Sequence, residues 1–384
     1  MEKITAILMS LLTTLSLFLG MSGSADYEGT TGLKAAIDAI LNKNEIMNTR
    51  YVGEISEYKW NADDKYSLDD TVILKKEKGK DFTILNLTDT HFADYDIRAF
   101  MAFSATAKIK ALVAETKPDL ITVSGDIVCS ESTYYAIRRF TDLMESFGIP
   151  WAPVFGNHDD EANCDLNFLA DIMMSAPNCV MQKGDAEMGV GNYIINIAEE
   201  NDDGTLNVVE SLIMMDSHKS QANEKQVAWY KWAADGINQL TDNSAEISLI
   251  FHIPLPEYQY AYDLAWNSVK REWNEGFDAY GECNEKICCE RDSDGNPVQR
   301  GFFDAIKESS TAKYIFCGHE HLNNFSILYE GIRLTYTMKV GQASGYDIRF
   351  NGGTEITVGE NGITRIQQKT AAFGPIITIE DIIV

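Results

Sequence analysis

The chain has 384 residues, of which 45% are hydrophobic and 23% are charged, and this is enough apolar sequence to bury the core of one large domain. Its 58 acidic residues outnumber its 32 basic residues, so the formal net charge is -26 at pH 7. A surface this acidic repels phosphate backbones and anionic membranes, which argues against a nucleic-acid partner. An anionic substrate would therefore need a local positive centre, and a bound metal is the obvious candidate.

The first 25 residues are typical of an export signal. Lys3 precedes an apolar stretch over residues 4–21, and Gly23-Ser24-Ala25 supplies the small residues of a cleavage site. We therefore predict cleavage after Ala25 and a secreted or extracytoplasmic protein with no stable membrane insertion. The alternative is an uncleaved N-terminal membrane anchor, because an apolar stretch of about 18 residues almost spans a bilayer.

Residues 26–80 form a polar lead-in to the main domain, which we place at residues 81–384. Helical periodicity predicts a short helix over residues 33–41, and the charged stretch 66–80 predicts a surface hairpin or linker. Nothing in this lead-in resembles catalytic chemistry.

Strands and helices then alternate along the chain. Strands are predicted at residues 82–87, 119–123, 151–155, 247–251 and 313–317, and paired strands at 193–197 and 208–215. Helices are predicted at residues 98–117, 132–147, 161–182, 224–240 and 302–308. An insertion rich in aromatic residues and cysteine occupies residues 257–300, and short β-like runs follow residue 325. This order favours a layered α/β domain built from crossover units.

Polar side chains follow five of these strands, at the point where each strand ends. They are Asp89 with His91, Asp126, Asn157 with His158, His252, and His319 with His321. Five of the six histidines of the chain lie at these positions. A single histidine at a strand end is more often a hydrogen-bonded loop residue than a ligand. Five such coincidences, each in a turn marked by glycine or proline, indicate one shared site.

These residue types suit a pair of metal ions. Two divalent cations about 3.5–4 Å apart repel each other and need an anionic bridge, which the carboxylate of Asp126 can supply. Neutral imidazoles suit Mn, Fe or Zn, and the amide of Asn157 offers an oxygen without further charge. Asp89 and His91 lie two residues apart, so an extended backbone would place both on one side of the chain.

The motifs resemble the full set of the calcineurin-like metallophosphoesterase superfamily. They are Asp89-x-His91, Gly125-Asp126, Gly156-Asn157-His158-Asp159, His252 and Gly318-His319-x-His321. The resemblance covers roughly residues 82–325, and residues 150–161 and 323–325 are similar to the subgroup related to purple acid phosphatases. It implies an α/β/β/α fold, in which a layered β-sandwich is flanked by helices and a dinuclear metal site lies at one edge.

The resemblance also implies a role for each residue of the constellation. One metal would be held by Asp89, His91 and His321, the other by Asn157, His252 and His319, with Asp126 bridging both. His158 would not be a ligand, but would stabilise the phosphoryl oxygens or protonate the leaving group. Asp159 would orient His158 or, alternatively, cap its own loop. The implied cofactors are two divalent or transition metal ions, Mn, Fe or Zn.

Cys129 departs from the purple acid phosphatase pattern, which has a metal-binding tyrosine three residues after the bridging aspartate. A buried, inert thiol is the simpler interpretation, and a cysteine ligand is the alternative. The chain has seven cysteines, so at least one stays unpaired in an oxidising compartment. The local disulfides to test join Cys164 to Cys179, and Cys283 to Cys288 or Cys289.

Three further features have simple structural interpretations. His218 is expected to be a surface or supporting group rather than a ligand. The glutamates at positions 282, 285 and 290 are expected to form a solvated face. The aromatic residues of the insertion either wall a substrate pocket or pack together as a subdomain; they are Tyr258, Tyr260, Tyr262, Trp266 and Trp273.

The sequence therefore predicts a secreted, dinuclear metal-dependent phosphoesterase that hydrolyses a small phosphoester by attack of a metal-activated hydroxide. Monoester and diester substrates both remain open, because no clear arginine lies in the motif loops to favour a monoester dianion. One alternative is a phosphodiesterase or nuclease of the same superfamily, although the net charge argues against a nuclease. Another is a non-catalytic binding or scaffold protein that retains the fold, although the complete set of ligand positions argues against it.

Overall fold

The computed structural model describes residues 42–384, apart from residues 94–95, 131, 290, 296, 299, 344 and 372–374. The predicted export signal and the helix predicted over residues 33–41 lie outside the described residues. Among the helices that the structure describes, none combines the length and the apolar character needed to cross a membrane.

The elements are numbered in chain order. The strands are β1 (Val72–Lys76), β2 (Phe82–Leu87), β3 (Leu120–Ser124), β4 (Trp151–Val154), β5 (Tyr193–Glu200), β6 (Leu206–Met214), β7 (Glu246–Ile250), β8 (Trp266–Asn267), β9 (Glu272–Trp273), β10 (Ala279–Tyr280), β11 (Ala312–Cys317), β12 (Ser326–Tyr329), β13 (Ile332–Tyr336), β14 (Gly352–Gly359), β15 (Gly362–Thr370) and β16 (Ile377–Ile383). The helices are α1 (Lys43–Asn48), α2 (Asp96–Thr116), α3 (Tyr134–Glu145), α4 (Leu166–Met174), α5 (Glu224–Thr241), α6 (Pro256–Ala265) and α7 (Phe302–Glu308).

Two large sheets hold most of these strands. The six-stranded sheet has the order β16-β15-β14-β2-β3-β4, and the eight-stranded sheet has the order β1-β5-β6-β7-β11-β13-β12-β10. The neighbours β2, β3 and β4 run parallel, and so do β6, β7 and β11. Parallel neighbours need crossover connections, which the helices between them supply. The carboxyl ends of each parallel set therefore meet at one edge of its sheet.

Two hydrophobic clusters define the layers. The first joins the six-stranded sheet to α2, α3 and α4 and to the eight-stranded sheet, with Ile84, Phe140 and Leu212 as buried members. The second joins the eight-stranded sheet to α5, α6 and α7, with Trp229 and Phe302 among its buried residues. Burying a large apolar side chain stabilises the fold by about 1.5–3 kcal/mol. The predicted α/β/β/α arrangement is therefore confirmed.

The lead-in differs from its prediction. The segment predicted as a surface hairpin or linker contains β1, which pairs in parallel with β5 at the edge of the eight-stranded sheet. Val72 and Leu74 pack against the core, and buried Lys76 lies 2.5 Å from Glu199 on the neighbouring strand. The high charge of this stretch favoured a surface segment in the prediction, whereas the structure has a strand in which Glu199 neutralises the buried lysine.

The helix predicted over residues 161–182 is also shorter than expected. It begins after Asp165, whose side chain accepts a hydrogen bond from the Phe168 amide, and it ends at Met174. Pro177 lies just beyond that end, and the residue before a proline is disfavoured in helical conformation. Capping and proline, rather than apolar periodicity, set the two ends of this helix.

The insertion packs as a subdomain instead of remaining a loop. It begins with α6, continues through the β8–β9 hairpin, and adds β10 to the edge of the eight-stranded sheet beside β12. Tyr262 stacks on Trp266 with ring centroids 5.7 Å apart, and Trp273 approaches Phe325 at 6.0 Å. Of the two interpretations of these aromatic residues, their mutual packing is the one that the contacts support.

Candidate metal centre

The predicted site residues lie in loops at the carboxyl ends of five strands. Asp89 and His91 follow β2, Asp126 follows β3, Asn157 and His158 follow β4, His252 follows β7, and His319 and His321 follow β11. Because three of these strands belong to the six-stranded sheet and two to the eight-stranded sheet, the loops of both sheets converge on one site.

The local backbone differs from the extended conformation predicted for Asp89 and His91. Both residues are left-handed, with φ of 52° and 49°, and Asp126 and His319 share this conformation at 51° and 77°. Main-chain hydrogen bonds hold the first two loops together, since the Asp89 amide donates to the Gly125 carbonyl at 3.0 Å and the His91 amide to the Asp126 carbonyl at 3.1 Å. A tight left-handed turn, not an extended strand, brings these ligands to one side.

Glycine at position 156 is required by the close approach of the next loop. A Cβ atom there would lie 2.2 Å from Oδ1 of Asp126 and 2.8 Å from the ring of His252. Gly125 is similarly confined, because its φ is +89° and an added Cβ would lie 2.6 Å from His252. These two glycines let three loops meet around the Asp126 carboxylate.

The first group of candidate ligands surrounds Asp89. Its Oδ1 lies 3.2 Å from Nε2 of His321 and 3.5 Å from Nε2 of His91. The same His91 nitrogen lies 3.3 Å from Oδ2 of Asp126. One ligand atom from each of these four residues lies within 4.8 Å of all the others, which is close enough for them to share one cation.

The second group surrounds the other side of Asp126. Nε2 of His252 lies 3.3 Å from Oδ2 of Asp126, and His319 joins this pair with all three ligand atoms within 4.8 Å of one another. Asp126 therefore belongs to both groups, as a bridging carboxylate must. Asn157 is partly buried on the same loop as His158.

Several atoms of the site are buried without a hydrogen-bond partner among the described residues. They are Oδ1 of Asp89, Oδ1 of Asn157 and Nε2 of His252. A buried polar atom left unsatisfied costs about 1–3 kcal/mol. All three atoms are good ligands for a transition metal, so two bound cations would satisfy the atoms that the protein leaves without partners. The residues present fit a dinuclear centre.

Hydrogen bonds outside the site fix the orientation of these ligands. Nδ1 of His252 lies 2.8 Å from the Ser124 carbonyl, so Nδ1 carries the proton and Nε2 is left for a cation. Oδ2 of Asp89 accepts from the Thr88 hydroxyl at 2.9 Å and from the His319 amide at 3.1 Å. These contacts direct Oδ1 of Asp89 and Nε2 of His252 into the site.

The two buried carboxylates of the site keep their negative charge. Burial alone would raise the pKa of Asp89 and that of Asp126, but the neighbouring histidines lower the pKa of each carboxyl well below its usual range. Burial alone would lower the pKa of His252, yet Asp126 raises that pKa to about 10. Burial and the charge of His252 lower the pKa of His319 to about 4. Both carboxylates therefore stay ionised and available to metal ions.

Lys339 is a residue of the site that sequence reasoning missed. Its side chain is fully buried, and Nζ lies 3.2 Å from Nδ1 of His91 and 3.3 Å from the Asp89 carbonyl. Burial lowers the pKa of Lys339 to about 8. Its position after β13, beyond every recognised motif, gave no signal except that a lysine interrupts an otherwise uncharged run, Thr335 to Gly341.

His158 lies at the mouth of the site. Its side chain is 35% exposed, and its ring centroid is 5.9 Å from that of His91. Its main-chain amide donates to Oδ1 of Asp126 at 2.9 Å, whereas its Nδ1 lies 2.6 Å from Oε2 of Glu161. Glu161 is therefore the carboxylate that orients His158. The spacing of three residues in the sequence is the signal that could have found it.

The carboxylate of Asp159, predicted either to orient His158 or to cap its own loop, hydrogen-bonds main-chain amides and not the His158 ring. It is fully buried, and its Oδ1 accepts from the Val128 amide at 2.9 Å and its Oδ2 from the Gly156 amide at 2.7 Å. Burial and the charge of Asp126 raise the pKa of Asp159 well above its usual range. Its contacts match the alternative interpretation, in which it caps its own loop.

The insertion contacts the histidine loop directly, which corrects the expectation of a solvated face for Glu285. Oε2 of Glu285 accepts from the His321 amide at 2.7 Å and from the Leu322 amide at 3.2 Å. The side chain of Asn323, in the same loop as His321, donates a hydrogen bond to the main-chain carbonyl of Glu285 at 3.1 Å. A residue far from the motifs thus fixes the turn that carries two candidate ligands.

The remaining predictions concern cysteines and His218. Cys129 is buried and belongs to neither group of ligands around Asp126. Cys179 and Cys283 carry free thiols in the structure, so neither of the predicted local disulfides is formed. Nε2 of His218 lies 2.9 Å from the Gln226 side chain, which agrees with a supporting role outside the metal centre.

Fold and site together define a metal-binding α/β/β/α protein whose carboxylate, imidazole and amide ligands converge from both sheets. The family model described as calcineurin-like phosphoesterase matches residues 82–323, a range that contains every candidate ligand. The chain belongs to the calcineurin-like phosphoesterase family.

The comparisons also show several relatives. The chain is 25% identical over 303 residues to probable inactive purple acid phosphatase 14 of Arabidopsis thaliana, covering 68% of this chain and 70% of that protein. It is 26% identical over 281 residues to phosphatase DCR2 of Saccharomyces cerevisiae, covering 65% of this chain and 46% of that protein. A solved dimetal phosphatase from Danio rerio superposes with a TM-score of 0.47 at 11% identity, covering 78% of this chain and 98% of the other.

Proposed function

We propose that this chain is an exported, dinuclear metal-dependent phosphoesterase that hydrolyses a small phosphoester. The observation that carries the proposal is the position of Asp126, whose carboxylate is shared by two groups of ligand atoms. The unsatisfied atoms of Asp89, Asn157 and His252 support it, because a protein without metals would leave them at a cost in stability.

Each ion would have its own set of side chains. Asp89, His91 and His321 would hold the first ion, Asn157, His252 and His319 the second, and Asp126 would bridge them. Mn, Fe or Zn suit this mixture of imidazole, carboxylate and amide ligands. When bound, such a pair supplies charge neutralisation for the phosphate and a hydroxide nucleophile near neutral pH.

The chain's own residues would handle the leaving group. His158 lies at the open side of the site, where its Nδ1 lies 2.6 Å from Oε2 of Glu161, and this contact fixes the orientation of the ring. Nε2 of His158 can then donate a proton to the departing alcohol, as a general acid does. The main-chain amide of His158 donates a hydrogen bond to Oδ1 of Asp126. One loop therefore positions both the proposed general acid, His158, and the proposed bridging carboxylate, Asp126.

A non-catalytic protein that retains the fold is the second candidate, because a relative is named as a probable inactive phosphatase. The complete set of seven ligand positions and His158 speaks for the enzyme. Bound metal and turnover distinguish the two: the enzyme holds two equivalents of transition metal per chain, whereas a scaffold has no need of them.

The test combines metal analysis with hydrolysis of p-nitrophenyl phosphate and bis-p-nitrophenyl phosphate after reconstitution with Mn, Zn or Fe. Asp126→Asn is expected to lose both turnover and one or both ions. Asp381→Asn is the matched control, since that aspartate pairs with Arg365 on an exposed strand away from the site. A folded wild-type chain that binds no metal and hydrolyses neither ester would contradict the proposal.

Export is a separate part of the proposal and is supported by the signal-like residues 1–25. Amino-terminal sequencing of the protein from the producing cells tests it. A new terminus after Ala25 is expected, and an intact Met1 in a membrane fraction would favour the anchored alternative.

A further inference from the structure

A cavity of about 310 Å³ lies in the insertion. One of its walls is α6, through Gln259 and Tyr262, and the other is the segment 283–287. We propose that this cavity binds the alcohol part of the phosphoester substrate, and that Lys286 contacts a second anionic group, a carboxylate or a phosphate, on that alcohol. This inference rests on the proposed function, since it names the substrate class of the same site.

Both walls of the cavity are continuous with loops that carry candidate metal ligands. The helix α6 begins at Pro256, just after the loop of His252. In the other wall, Oε2 of Glu285 accepts a hydrogen bond from the His321 amide at 2.7 Å, and the Glu285 amide donates to Oδ1 of Asn323 at 2.9 Å. A group bound in the cavity would therefore lie beside the loops of two proposed ligands, one for each ion.

The size and rigidity of the cavity suit a small organic group. Ligand pockets in proteins measure about 300–1,000 Å³, so this cavity lies at the lower end of the range. The Tyr262 ring stacks on Trp266 with centroids 5.7 Å apart. The Gln259 side chain donates to Asp263 at 2.7 Å and accepts from Arg291 at 3.3 Å. Side chains that are already held in place lose little freedom when a ligand binds.

The charged group that the cavity leaves without a partner is positive. Within the part of the chain that the structure describes, no carboxylate lies within ion-pair distance of Lys286, which is exposed. The nearby carboxylates already accept hydrogen bonds, since Oε2 of Glu285 accepts from two main-chain amides and Oδ1 of Asp263 accepts from Gln259. In a chain with a net charge of -26, this ammonium group supplies the local positive charge that an anionic ligand needs.

Direct contact and long-range attraction predict different outcomes. Removing any exposed lysine of the insertion would weaken a long-range attraction in the same way, and charges further apart than about 8 Å are largely screened at physiological salt. Direct contact depends on Lys286 alone, and a hydrogen bond between charged groups increases affinity by about 10-fold or more. A second lysine of the same insertion therefore separates the two.

The experiment measures kcat/KM of the full chain, loaded with the metal that gives the highest turnover, for phosphate esters of alcohols of two to five carbons. The far end of each alcohol carries a methyl group, a carboxylate or a phosphonate, and each ester is prepared both as the monoester and as the methyl diester. Wild type is expected to prefer a carboxylate or phosphonate end over the methyl end by about 10-fold. Lys286→Met is expected to lose this preference, and Lys286→Arg is expected to retain it.

Lys270→Met is the matched control. It removes an exposed lysine of the insertion that pairs with Glu272 at 3.5 Å and does not line the cavity, so its preference is expected to equal that of wild type. The preference is a ratio within one protein, so a general loss of activity in a variant cancels.

A wild type that hydrolyses the esters without preferring an anionic end, or a Lys286→Met variant that keeps the preference, would overturn the inference and leave the proposed function in place. A wild type that hydrolyses none of the esters with any metal would instead overturn the proposed function and this inference with it. A preference confined to the carboxylate or to the phosphonate would support the inference and identify the anionic group that the cavity accepts.

Discussion

Replacing Asp159 with alanine should destabilise the fold without acting on His158. The substitution removes the acceptors of two buried main-chain amides, that of Val128 at 2.9 Å and that of Gly156 at 2.7 Å. An amide left unsatisfied in the interior costs about 1–3 kcal/mol, so the two together should lower the free energy of unfolding by about 2–6 kcal/mol. This is a large part of the total of about 5–15 kcal/mol that holds a typical domain together.

Urea unfolding of the metal-free chain measures this loss directly, because bound ions cannot then contribute to stability. Asp160→Ala is the matched control. Its side chain is exposed and pairs with Lys219 at 2.9 Å, so its removal should change the free energy of unfolding by about 1 kcal/mol or less. Asp159→Asn should lie between the two, because an amide offers one acceptor oxygen for two donors.

The companion variant is Glu161→Gln. Glu161 is half exposed and contacts His158, so this change should leave the urea midpoint unaltered. Hydrolysis of alkyl esters, which need protonation of the leaving group, should slow more than that of p-nitrophenyl esters. The reasoning fails if Asp159→Ala unfolds at the wild-type urea concentration and instead reproduces the leaving-group effect expected of Glu161→Gln.

Three further changes test other parts of the structure. Gly156→Ala would put a Cβ atom 2.2 Å from Oδ1 of Asp126, where ordinary contacts begin at 3.4 Å, so the carboxylate would be displaced. Disturbing the orientation of metal ligands lowers metal affinity by about 10–100-fold, and calorimetry should show a loss of this size. Unchanged affinity would refute the packing argument. Burial raises the pKa of Glu210, so the folded chain retains a proton that the unfolded chain loses above about pH 4.5, and the free energy of unfolding should fall as the pH rises. Urea unfolding at pH 5 and pH 8 measures this fall, which should be smaller in Glu210→Gln. An equal fall in the variant and the wild type would contradict the prediction. Glu285→Ala releases two amides of the histidine loop and should weaken Mn²⁺ binding several-fold, whereas Glu282→Ala, an exposed neighbour, should not.

The candidate site could be predicted because its residues follow strands whose apolar runs are easy to recognise. The runs before Asp89 and Asp126 became parallel neighbours, so their carboxyl ends meet as the βαβ order requires. The same rule brought His252 and His319 together, since β7 and β11 are also parallel neighbours. Order along the chain was therefore sufficient to place the ligands at one site.

The supporting contacts could not be predicted, because they depend on which loops touch. Asp159 is next to His158 in the chain but reaches the amide of Val128 in another loop. Glu285 reaches the histidine loop only because the insertion folds onto Phe325 and its neighbours. At β1 the high charge of the segment predicted a surface hairpin or linker, because the sequence did not show that Glu199 on the neighbouring strand neutralises Lys76. In each case a tertiary partner decided a role that local sequence left open.

The left-handed backbone of Asp89, His91, Asp126 and His319 has a consequence for selection and protein engineering. At a non-glycine residue this conformation costs up to about 1–2 kcal/mol, less for aspartate, and glycine adopts it freely. Glycine at any of the four would also remove a buried polar group. Screens that select for thermostability alone would therefore favour variants that discard the metal centre, so these four positions must be held constant when the chain is stabilised.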